Sequence, residues 1–237
     1  MMENKNKIKI ESIKPITATF VIISGLFVAC LLISNIVAGK LIQVWRFVLP
    51  GGSIIFPLTY IFGDILTEVY GFKRARMVIW IGFTANFLMV LLFLAIVKMP
   101  YPVYWENQEA YSIVLLMTPR IVGASLVAYF SGEYLNATIL SLMKKWTKGK
   151  YLWTRTIGST VVGEGVDTVM FIIIAFGGSY SWMIIGGLIL TQYIWKVAYE
   201  IAITPLTYII VSWVKKRDRS DVYDQGEKYN PFSLKIN

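Results

Sequence analysis

The sequence contains no histidine and a single cysteine, Cys30. The first absence removes the commonest metal ligand and the commonest proton-transfer group at neutral pH. The second excludes a disulfide framework. Charge is scarce as well, at 16 % of the 237 residues, where a soluble domain carries roughly 25 %. No phosphate-binding loop is present, because Lys148-Gly149-Lys150 lacks the G-x-x-x-x-G-K-[ST] spacing. Any ATP-driven step would therefore come from another chain. With no histidine, no cysteine pair and no nucleophile motif, an enzyme is not expected, and neither is a resident metal or cofactor.

What fills the sequence instead is apolar residues, at 56 %. A spanning helix needs about 20 of them in a row. Candidate spans are Thr17–Ala38, Phe56–Tyr70, Met77–Val97, Arg120–Met143, Thr156–Gly177 and Trp182–Val214. The first follows Lys5, Lys7, Lys9 and Lys14; it is longer than a signal-peptide core and reads as a retained span. The second, counted from Pro57, reaches only about 21 Å and reads as short or interrupted. Its approach, Phe47–Phe56, is expected to be irregular or extended. Pro205 predicts a kink in the sixth.

Six spans place both ends on one side of the membrane. Of the 23 lysines and arginines, 18 lie in the N-terminal arm, at 73–76, in the 144–155 loop and from Lys215 onward. That asymmetry predicts cytoplasmic termini, and it makes the net charge of +9 topological, with lipid and not nucleic acid as partner. The expected fold is an all-α membrane protein: six transmembrane helices in one bundle, one domain over 1–237, with a cytoplasmic arm (1–15) and a cytoplasmic tail (216–237) that is polar and loose from Asp218.

Acidic residues inside hydrocarbon are expensive and tend to be used. Asp64 and Glu68 stand i,i+4 on the second span, Glu164 and Asp167 i,i+3 on the fifth, and Gln192, Lys196 and Glu200 form a stripe on the sixth. Asn35, Asn86, Arg120, Glu133 and Asn136 add polar groups to other spans. Structural uses compete with functional ones. Lys196 and Glu200 could form a structural pair, Glu133 and Asn136 could be interhelical glue, and Glu68 could face cytoplasmic water. Ala124, Ala128 and Gly132 make a small-residue stripe that packs helices within the chain or, alternatively, forms a homodimer seam. Carboxylates, amides and aromatic rings together suit a flat, donor-rich heterocycle, and equally a pterin, a flavin-like ring or a simple cation.

Phe56-Pro57-Leu58-Thr59-Tyr60, Asp64, Thr67-Glu68-Val69-Tyr70-Gly71 and Ala75-Arg76 resemble the hallmark of the queuosine precursor transporter family. The likeness continues through Thr118-Pro119-Arg120-Ile121-Val122, Trp153-Thr154-Arg155, Asp167-Thr168, Gln192, Lys196 and Pro205. The resemblance implies an inner-membrane, multi-pass carrier for a 7-deazaguanine base (7-cyano-7-deazaguanine, 7-aminomethyl-7-deazaguanine or queuine) that feeds tRNA queuosine salvage. It also implies a fold like that of vitamin-binding S-components, and an S-component of an energy-coupling-factor transporter is the alternative reading. The implied substrate-binding set is Asn35, Phe56, Tyr60, Asp64, Glu68, Arg120, Glu164, Asp167, Gln192 and Lys196. In the family pattern glutamine stands where this chain has Glu133 and Glu164, a departure that bears on specificity.

Overall fold

The computed structural model describes residues 16–37, 40–44, 47–116, 119–224 and 229–230. Apolar runs become helices because hydrocarbon offers the backbone no other hydrogen-bond partners. Seven form: α1 (Ala18–Val37), α2 (Gly52–Tyr70), α3 (Phe72–Lys98), α4 (Gln108–Leu115), α5 (Pro119–Trp146), α6 (Leu152–Phe176) and α7 (Trp182–Asp218). Between α1 and α2 lies one antiparallel hairpin, β1 (Leu41–Val44) with β2 (Phe47–Pro50), in which Leu41 faces Pro50 and Val44 faces Phe47. Its base closes where the Gly51 N–H donates to the Lys40 carbonyl, 2.7 Å.

Among the described residues five helices are long and apolar enough to cross a membrane: α1, α2, α3, α6 and α7. The protein is thus an all-helical, multi-pass membrane protein apart from its hairpin. α5 is long enough at 28 residues, but its charged and small polar residues leave it less apolar than the other five. It packs most extensively on α6.

Three expectations need correction. The second span is not short: α2 starts at Gly52 and runs 19 residues, about 28 Å at 1.5 Å per residue. Pro57 sits inside it. A proline there removes the hydrogen bond to the carbonyl four residues back, which is that of Ser53. That carbonyl accepts from the Trp195 indole N–H instead, 3.4 Å, and the helix continues. The extended backbone expected for Phe47–Phe56 ends at Pro50. Finally, the tail is not loose where it is described, as the Ser220–Asp224 segment docks on the bundle.

α2 is the central element. Of its apolar window 67 % is buried, against at most 44 % for the other spans. The outer faces of α1 and α3 expose Val21, Ile22, Leu26, Leu88, Leu91 and Leu92, as lipid contact requires. α5 and α6 approach so closely that a Cβ at Gly163 would stand 2.8 Å from Asn136 Cβ and 2.9 Å from the Gly132 carbonyl oxygen. Ala124, Ala128 and Gly132 are buried inside this one chain, so the small-residue stripe serves intrachain packing.

Gly163→Ala should therefore destabilise by about 1–3 kcal/mol through overpacking. Gly186→Ala, on α7 with nothing within 4 Å of its Cβ, should leave the melting temperature unchanged or raise it, because alanine is the better helix former. Thermal unfolding of detergent-solubilised protein separates the two.

Candidate functional site

Helices α2, α5, α6 and α7 each turn acids into the interior. Asp64, Glu133, Glu164, Asp167 and Glu200 are all at most 4 % exposed, and they lie within electrostatic reach of one another. Among the described residues the ion pairs to these five come from Lys196 alone. Its Nζ lies 2.6 Å from Asp167 Oδ2 and 2.7 Å from Glu164 Oε2. The same ammonium sits 4.7 Å from the centroid of the Phe56 ring, a cation–π distance. Lys196 therefore ties α6 to α7 and rests against α2.

Asp64 is held differently. Asn136 Nδ2 donates to its Oδ1, 2.7 Å, across the α2–α5 contact. Among the described residues Asp64 Oδ2, Glu164 Oε2, both oxygens of Glu133 and both of Glu200 are buried with no hydrogen-bond partner. The Tyr60 hydroxyl and Asn136 Oδ1 share that condition. Glu133 presses its carboxyl into the space that Gly63 leaves on α2. Tyr60 lies beside Phe56, with ring centroids 5.9 Å apart. Buried polar atoms are ordinarily paired, so this concentration of open acceptors marks the centre as a site.

Glu68, one turn from Asp64, is fully buried and does not face cytoplasmic water. Arg155 holds it in a fork, Nε to Oε2 at 3.1 Å and NH2 to Oε1 at 2.7 Å. Lys215 Nζ adds 2.7 Å to Oε1, and Lys144 Nζ stands 3.6 Å away while donating to the Glu68 carbonyl. The docked tail closes this end. Ser220 Oγ and the Val222 N–H donate to the Val69 carbonyl, and Asp224 accepts from the Phe72 N–H, 3.0 Å, and the Ser141 hydroxyl. It fits over Gly71, whose φ of +86° turns α2 into α3 in a conformation that favours glycine. Asp218 gathers Thr17, Thr19 and Tyr70 at the same end.

The sequence-predicted residues thus divide. Phe56, Tyr60, Asp64, Glu164, Asp167 and Lys196 meet at the centre. Glu68 belongs to the locked end. Asn35 does not join the centre: its Nδ2 donates to Asn86 Oδ1, 3.0 Å, and its Oδ1 accepts from Ser125 Oγ, 3.1 Å. That cluster heads a separate cavity of about 270 Å³ walled by Phe87, Leu91, Leu94 and Leu126. Gln192 stands one turn before Lys196 and is half-buried. The Arg120 side chain lies outside the described residues, as does the arm over 1–15. Sequence reasoning left Glu133, Asn136, Glu200, Arg155, Lys144 and Lys215 out of the site. The stripe that includes Glu200 was the signal for one of them; nothing local foretells Arg155, 87 residues from Glu68.

At the locked end, burial opposes ionisation of Asp221, but hydrogen bonds from Lys144 and Lys215 outweigh it and hold the carboxyl below its ordinary value of 3.8. A depressed acid contributes stability in full above its unfolded pKa and loses it as pH falls through the folded one. The strap over Gly71 should accordingly loosen below about pH 4, read as faster proteolysis of the tail. Arg155→Ala should destabilise by about 3 kcal/mol at neutral pH, because it strips the fork from a buried carboxylate; a smaller loss is expected for Lys215→Ala, whose ammonium is part-exposed.

Residues 50–210 match the family model described as "Putative vitamin uptake transporter". The chain is 24 % identical over 188 residues to the "Probable queuosine precursor transporter" of Bacillus subtilis (strain 168), covering 79 % of this chain and 82 % of the relative. It is 25 % identical over 198 residues to the "Queuosine precursor transporter" of Escherichia coli (strain K12), covering 80 % and 86 %. No solved structure matches the chain.

Proposed function

The chain belongs to the vitamin uptake transporter family, a family of transporters and not of enzymes, and from that premise we propose that it imports a queuosine precursor, a 7-deazaguanine base, across the inner membrane for tRNA queuosine salvage. The names of the two relatives support this substrate class. The observation that carries the reading is Asp64: buried at the middle of an apolar bundle, oriented by Asn136 through one oxygen and open at the other.

A carboxylate has about four lone-pair sites. Asn136 occupies one at Asp64, which leaves acceptors for the N1–H and exocyclic amine of a guanine-like edge. Phe56 and Tyr60 supply aromatic faces for the ring. Asp167 and Glu164 act through Lys196, which they fix in place. The carrier works as one domain of six spans, with α5 as the sixth inside the bundle and both termini cytoplasmic. That orientation is supported by the concentration of lysine and arginine at the end where Glu68 is locked. In this reading Glu68 with Arg155, Lys215 and the tail strap forms the cytoplasmic barrier, and release inward requires that lock to open.

Asp64→Ala should abolish queuosine in the tRNA of a host that lacks both its synthesis and its own carrier and is fed the free base. Mass spectrometry of tRNA nucleosides, with immunoblotting to establish membrane levels of the variant, measures it. Normal queuosine in that strain would remove Asp64 from the site. Uptake by liposomes holding this protein alone would exclude the need for an ATPase partner.

A further inference from the structure

The polar centre is unbalanced in one direction. Among the described residues five buried carboxylates have one lysine between them, and it pairs with two. Lys196 bridges Glu164 and Asp167, so those two have a counter-charge from within, although Glu164 Oε2 makes no aligned hydrogen bond. Asp64 is half satisfied by Asn136. Glu133 and Glu200 have no partner on any oxygen. The other open groups nearby are not acids: Asn136 Oδ1 can only accept, and the Tyr60 hydroxyl, 1 % exposed, awaits a partner of its own. The Tyr60 hydroxyl points at Gly132, where an added Cβ would lie 2.6 Å from it and 2.7 Å from Asp167 Cβ. It thus packs against the same glycine as Asp167, among the acids. What fits such a set is rich in hydrogen-bond donors and carries positive charge.

We propose that Glu133 and Glu200 select for cargo bearing an alkylammonium group, so that the carrier prefers the aminomethyl form of the deazaguanine base to the neutral nitrile form. The inference rests on the deazaguanine reading above and adds the charge of the substituent to it. The division of labour is geometric. Asp64, on α2, takes the ring edge. Glu133 on α5 and Glu200 on α7 both lie within electrostatic reach of it and meet the side arm. An ammonium on an alkyl arm, like that of lysine, stays charged at pH 7. It offers three donors to oxygens that have none. A nitrile offers no donor and leaves both acids bare. Among the described residues the charged groups around Glu133 and Glu200 are Asp64 from α2 and Glu164 and Asp167 from α6, with Lys196 of α7 beside the latter two. The single cation among them is already engaged twice.

The test is equilibrium binding to the purified full-length carrier at pH 7, by calorimetry. Its probes are 7-aminomethyl-7-deazaguanine, 7-cyano-7-deazaguanine and the 7-hydroxymethyl analogue, which keeps the ring and nearly the shape of the amine without its charge. The amine should bind about tenfold or more tighter than either neutral base. Glu133→Gln and Glu200→Gln should each shrink that ratio while leaving the affinity for the nitrile nearly unchanged. Equal affinity of the wild-type carrier for amine and hydroxymethyl bases, or a preference for the nitrile, overturns the inference and leaves the deazaguanine reading standing. A ratio that survives both substitutions also overturns it. Failure of all three bases to bind removes the deazaguanine reading and the charge selection with it. The comparison among ligands on the unmodified protein needs no variant to fold.

Discussion

Everything in this molecule is arranged around acids that have been taken out of water. A carboxylate in a low-dielectric interior is tolerated only when cations or donors surround it. The two groups of buried acids meet that constraint in opposite ways. Glu68 is saturated: an arginine fork, a lysine at 2.7 Å and a second lysine behind it. Among the described residues the five acids of the centre, Asp64 included, have one ammonium and one amide donor between them. The first arrangement is that of a closed latch, since nothing more can be added to it. The second suits the receiving role proposed for it, since its open valences, the Tyr60 hydroxyl apart, are acceptors.

The fold serves this contrast. α2 carries both Asp64 and Glu68 and is the most enclosed of the spans, so both groups of acids are set by one helix. The close approach of α5 and α6 at Gly132 and Gly163 brings Glu133 and Asn136 to the same depth as Glu164 and Asp167. Lys196 then ties α7 to α6 and rests on Phe56 of α2. Four helices are thereby joined through polar contacts at the centre, in a bundle whose outer faces are aliphatic and interchangeable with lipid.

Much of this was legible in the sequence. Asp64, Asp167 and Lys196 were placed inside because an ionisable residue in an apolar run has few other places to go, and the i,i+4 and i,i+3 spacings gave the shared faces. What could not be read was which distant group answers which. Asn35 is the same residue type as Asn136, yet only Asn136 meets Asp64; helix rotation and crossing decide that, and neither is local. Pro57 looked like a helix start because the rule for proline counts the lost hydrogen bond and cannot see that Trp195, 138 positions later, fills it. The tail read as solvated because it is polar, but its serine and aspartates meet backbone groups exposed at the α2–α3 elbow.

The two groups of acids are one helical turn apart on one rigid element, and that spacing has a mechanical consequence. Asp64 and Glu68 point from the same face of α2. Under the proposed function, a cargo that drew Asp64 toward itself would move the segment that also carries Glu68. The lock is short-range and directional: its fork distances of 2.7 and 3.1 Å leave little room for sliding before hydrogen bonds fail. The strap adds to the stiffness, because it is anchored on the Val69 carbonyl and the Phe72 N–H, just beyond Glu68. Displacement of α2 is therefore felt at the basic end as broken ion pairs rather than as gradual bending. Under the proposed function, a filled centre that pulled on α2 and a latch that broke when α2 moved would make release depend on occupancy.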